Sequence, residues 1–78
     1  MTNTSKKYII EITKKEKMIK QALIKKLEGD IEVAKADLRV FLANPIGVAE
    51  HIDYVITAEK KLEALAHAED KLQSLKNL

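Results

Sequence analysis

One short break, Asn44-Pro45-Ile46-Gly47, constrains the fold of this chain more than any other feature. It holds the sole proline and one of two glycines, and the sequence on either side has helical periodicity with almost nothing to stop a helix. A residue before proline avoids the α region, so a first helix should end by Ala43. Asn44 would then cap a second helix and Pro45 would open it, because the N–H that proline lacks would be unpaired there anyway. The expectation is one domain of residues 1–78: a first helix over about 6–43, a corner at 44–47 and a second helix over about 45–76.

The first helix has a clear seam. Ile24, Ile31 and Leu38 recur every seven residues, and Leu27, Ala34 and Phe41 do the same at an offset of three. These are the a and d positions of a coiled-coil-like stripe. Upstream, Ile19, Leu23, Leu27 and Ile31 are spaced by fours, a stutter that locally straightens a superhelix. Ile12 falls on the same side, and Glu16 and Lys20 interrupt the stripe at its weaker end.

Two points stay open. Tyr8-Ile9-Ile10-Glu11-Ile12 has the β-branched, aromatic make-up of a strand, and Thr13-Lys14-Lys15-Glu16 after it reads as a capping box. A helix running straight through from near Ser5 is preferred, since a lone strand would lack a partner within the chain. Gly29-Asp30 could close one helix and cap the next. The unbroken phase of Leu27, Ile31 and Ala34 argues for one helix instead. Gly29 then costs roughly 1 kcal/mol relative to Ala and marks a place where two backbones could approach closely.

In the second helix the expected seam is Val48, Val55 and Leu62 with Ala58, Leu65 and Leu72, and His51 and Glu69 are its polar exceptions. Ile52, Ala66, Ala68 and Leu75 flank it. Glu50 and Asp53 suit the positive start of that helix, and Lys71 and Lys76 its negative end.

A tight corner makes long helices antiparallel neighbours. Two rods touch along one line, which leaves Ile9, Ile12, Ile19 and Leu42 on the first and Ile52, Ile56, Ala66 and Leu75 on the second uncovered. At 78 residues the chain buries a small fraction of its surface. Scaffolds of this size need disulfides, a metal or self-association, and cysteine is absent. The expected fold is therefore all-α: an antiparallel helical hairpin assembling into a homodimeric four-helix bundle. Its helix-packing and oligomer contacts are placed at Ile24, Leu27, Ile31, Leu38 and Phe41 on the first helix. On the second they are placed at Ile52, Val55, Leu62, Leu65 and Leu72. The competing folds are a monomeric hairpin and a three-helix arrangement broken at Gly29.

Chemistry-bearing patterns are sparse. Glu63, His67 and Asp70 share a helix face with spacing that suits a divalent ion, but dense charge produces such trios by chance and a solvated face is the expectation. His51 and His67 lie on nearly opposite faces and cannot share a site within one chain. No nucleophile–base set is present, and Gly29 and Gly47 cannot form a phosphate-cradling loop. The chain is expected to be no enzyme and to bind no cofactor.

Charge is unevenly placed. Residues 1–29 carry eight lysines against three glutamates, net +5; residues 30–78 carry six basic and nine acidic groups, net −3; together they give +2. Lys14, Lys15, Lys25 and Lys26 are candidate nucleic-acid contacts. Against that reading, Arg39 is the only arginine and no aromatics lie among the lysines. The counter-charge could instead be the acidic second helix of a neighbour. No apolar run approaches membrane-spanning length, so no membrane association is expected. The absence of cysteine suits a reducing compartment, and a cytoplasmic location is the expectation.

The segment Asn44-Pro45-Ile46-Gly47-Val48-Ala49-Glu50-His51, followed by Asp53 and by Ala68-Glu69-Asp70-Lys71-Leu72 within the 59–75 helix, resembles a family of short helical proteins. These are encoded by tailed phages that infect marine cyanobacteria. The resemblance covers roughly residues 30–75. A proline often follows the histidine in that family, and Ile52 stands there here. Because the family is functionally uncharacterised, it supplies no catalytic or binding residue. It implies a viral accessory or virion-associated protein acting in the host bacterial cytoplasm. The residues themselves point to a non-enzymatic interaction or structural accessory protein working as a helical homo-oligomer, with an unidentified protein partner possible. A nucleic-acid-binding accessory protein is the alternative.

Overall fold

A computed structural model describes residues 2–45 and 51–78, and their side chains over 13–45 and 52–78. Two α-helices account for nearly all of it: α1, Thr2–Ala43, and α2, His51–Lys76. They form an antiparallel hairpin measuring 70 × 15 × 14 Å. No strand occurs among the described residues: the backbone of residues 8–12 is helical and continuous with the rest of α1. Its β-branched residues do not prevent this, because intrinsic propensities differ by only tenths of a kcal/mol per residue.

α1 also runs through Gly29 without interruption, as the unbroken apolar phase requires. The close backbone approach expected there is absent within the chain, since a Cβ added at Gly29 would meet nothing within 4 Å. The glycine is solvent-exposed on the side of α1 turned away from α2. Gly29→Ala should therefore stabilise the fold by about 1 kcal/mol, from helix propensity and a less free unfolded chain. Thermal melting followed by circular dichroism should show the midpoint rising by roughly 4–8 °C.

The end of α1 falls where the proline demands it. The Asn44 N–H still donates to the Val40 carbonyl at 3.0 Å, and Asn44 and Pro45 lie beyond the helix. Pro45, expected to open the second helix, carries no helical backbone, and residues 46–50, which join it to His51, lie outside the described residues. So do Val48, Glu50 and the side chain of His51. Asp53 in the first turn of α2 and Lys76 in its last match the helix dipole as expected. At the C-terminus the Gln73 Nε2 amide donates to Asn77 Oδ1 at 3.1 Å, tying off the final turn.

Four described side chains form the buried core: Leu27, Ile31, Phe41 and Ala68. Around them Ile24, Ala34, Leu38, Tyr54, Ala58, Leu65, Leu72 and Leu75 are half-buried. The α1 seam is the expected one. The α2 seam is not. It comprises Tyr54, Ala58, Lys61, Leu65, Ala68, Leu72 and Leu75, an alternation of fours and threes. Val55 and Leu62, expected on it, are 64% and 53% exposed. Ile52, expected to flank the seam and to be left for an oligomer contact, is exposed. Ala58, Leu65 and Leu72 keep their expected places. The other half of the stripe has moved one residue back, to Tyr54 and Lys61.

The helices differ in length. At 1.5 Å per residue α1 is about 63 Å long and α2 about 39 Å. Leu75 and Leu78 sit beside Lys15, Ile19 and Leu23. α1 therefore continues for about 20 Å past the end of its partner.

Candidate interaction surfaces

The displaced register on α2 seats one charged residue on the seam. Lys61 is half-buried on the seam. Its Nζ lies 2.9 and 3.1 Å from the two carboxylate oxygens of Asp37 across the hairpin and 5.4 Å from the centre of the Phe41 ring. The aliphatic stem packs on the seam while the ammonium reaches its rim, as long basic side chains commonly do. The ion pair is partly exposed, so with the ring contact it contributes roughly 1 kcal/mol. A reading that classes lysine as polar passes over this position. The spacing Tyr54, Lys61, Ala68, Leu75 is nevertheless a strict heptad.

Among the sequence-selected packing residues, Ile24, Leu27, Ile31, Leu38, Phe41, Leu65 and Leu72 converge on the seam. Ile52, Val55 and Leu62 do not. Leu42 and Val55 line one shallow apolar groove near the corner with Phe41, Pro45, Tyr54 and Ala58. A second apolar groove lies at the open end, where Ile19, Leu23, Leu75 and Leu78 are rimmed by Lys15, Glu16 and Lys20. Heptad spacing puts Asp30 and Asp37 on the same side of the hairpin as Leu23, and His67 and Lys71 face them across a third groove, which Val33, Ala34, Ala64 and Ala68 also line. Ile19, Leu42, Ile52, Ile56 and Ala66, the flanks expected to stay uncovered, are exposed. Leu75 is half-buried, and the side chains of Ile9 and Ile12 lie outside the described residues.

The face of α1 opposite the seam is a distinct surface. Residues 18, 22, 29, 33, 36 and 40 lie about half a helical turn from the seam positions. Val33 and Val40 on this face are 70% and 69% exposed. Lys14 and Lys15, and eleven residues on Lys25 and Lys26, straddle the same line, and all four are exposed. The four candidate lysines thus share one face. Lys25 approaches Glu28 at 3.8 Å and Lys26 approaches Asp30 at 2.7 Å, local pairs that leave the face net positive. The corresponding outer face of α2 carries Ile52, Ile56, Glu59, Glu63, Ala66 and Asp70, all exposed.

Glu63, His67 and Asp70 remain on the surface of α2, and no group of three residues that could hold a metal ion occurs among the described residues. No helix among them is long and apolar enough to cross a membrane. Comparison with known proteins finds no matching family model, no matching curated protein and no matching solved structure.

Proposed function

We propose that the chain is a non-enzymatic interaction or structural accessory protein that works as a homo-oligomer. One observation carries this reading. A folded monomer of 8.8 kDa exposes about 4,800 Å² by the scaling of surface with mass, whereas this hairpin exposes 6605 Å². The excess, on the order of 1,800 Å², is more than one partner contributes to a standard protein–protein interface and falls in the range of obligate dimers. Among the described residues four side chains are buried, and the apolar grooves at both ends are open. Two hairpins packed as a homodimeric four-helix bundle are the smallest closed assembly that covers such surface. A phage-encoded accessory role in a bacterial cytoplasm agrees with the resemblance of residues 30–75.

The second reading, nucleic-acid binding, is favoured by the shared outer face of Lys14, Lys15, Lys25 and Lys26. Sedimentation equilibrium of the purified chain over a concentration series, with and without duplex DNA, separates the two. Self-association should give a molar mass of at least two chains without nucleic acid. A mass of one chain that rises only with DNA, and does so less as salt is added, would replace the first reading with the second.

A further inference from the structure

We infer that copies of the hairpin also dock side by side, the outer face of α1 in one copy against the outer face of α2 in the next. The inference rests on the self-association proposed above and adds a contact that a closed pair does not use.

The two faces are complementary in charge and spacing. On α1 two lysine pairs, Lys14/Lys15 and Lys25/Lys26, straddle the exposed stripe eleven residues apart. On α2 two exposed acids, Glu59 and Asp70, are also eleven residues apart, and neither is in an ion pair among the described residues. Eleven residues is close to three full helical turns, so each set stays on one line. Running the helices antiparallel, as the hairpin itself does, brings Lys25/Lys26 against Glu59 and Lys14/Lys15 against Asp70 of the second copy at once.

The apolar positions then fall into register without further adjustment. Val33 meets Ile52 of the second copy, Met18 meets its Ala66, and Gly29 lies opposite its Ile56. Met18, Val33, Ile52 and Ile56 are among the exposed large apolar side chains of the hairpin. Gly29, with open space where a Cβ would stand, provides room for the branched Ile56. The counter-charge of the basic α1 face is thus a second copy of the same chain.

The geometry decides the kind of assembly. The α1 and α2 outer faces point away from each other across the hairpin, so two copies cannot satisfy both contacts reciprocally. A contact between unlike patches is heterologous and propagates into rings or filaments instead of stopping at two.

The test uses the full chain, with Lys15→Glu/Lys25→Glu as one variant and Glu59→Lys/Asp70→Lys as another. Every substitution is at an exposed position, and circular dichroism confirms retained helicity. At low ionic strength, where surface charges are least screened, light scattering of the unsubstituted chain should show mass growing with concentration beyond two chains. Each variant alone should stop at or below two. An equimolar mixture of the variants should grow again, as should a chain carrying all four substitutions. A mass that levels at two chains for the unsubstituted protein overturns the side-by-side contact and leaves self-association standing. Growth that both variants retain overturns the choice of faces. A mass of one chain at every concentration overturns both this inference and the reading beneath it.

Discussion

Phe41→Ala is expected to remove the cooperative thermal transition of this protein. Truncating a buried phenylalanine costs about 3–5 kcal/mol, and the core of a scaffold this small supplies about that much in total. Phe41 is buried near the corner, at the point where the hairpin is held closed, and its ring is also the platform for the Lys61 ammonium. The loss would therefore include apolar burial, a cavity and part of a polar contact. Circular dichroism melts of the two proteins at equal concentration measure it. A loss below about 1 kcal/mol would resemble that of an ordinary surface substitution and would show that the ring is not part of the seam.

The second large effect is expected at a residue with no side chain. Gly29→Pro should destabilise by about 3 kcal/mol or more, because proline removes a mid-helix hydrogen bond and its ring clashes with the carbonyl four residues earlier. Gly29→Ala, at the same open position, should act in the opposite direction. The pair of substitutions therefore tests the continuity of α1 and not packing at residue 29. If the chain instead broke into two helices there, the proline would leave helicity and midpoint close to those of the unsubstituted protein.

Much of the architecture could be read from the residues, for identifiable reasons. The end of α1 follows from the steric demand of Pro45, and its seam from a heptad whose members are all apolar. Continuity through Gly29 follows from phase, because a break would have shifted Ile31 and Ala34 off the line of Leu27. The α2 seam was half legible. Apolar residues are spread almost around that helix, so Val55 and Leu62 compete with Tyr54 and Lys61 for the same role. Hydrophobicity favours the first pair. The second is the one on the seam: the lysine stem packs as hydrocarbon, while its ammonium finds Asp37 on the other helix, a partner about which local sequence says nothing. That the lysines lie mostly opposite the apolar stripe of α1 is legible from the helical period. The acidic outer face of α2 is not, because it depends on which residues form the α2 seam.

The Lys61–Asp37 pair has a further consequence for alignment. A heptad row is self-similar, so α2 could in principle slide two turns along α1 and meet equivalent apolar partners. Slid toward the start of α1, Lys61 would seek the carboxylate seven residues earlier, Asp30, which Lys26 already holds at 2.7 Å. Slid the other way, it would face Asn44, which carries no charge. A single polar member in a hydrophobic row is a known means of fixing such registration. Here the hairpin is keyed at one notch, with the neighbouring notch already filled.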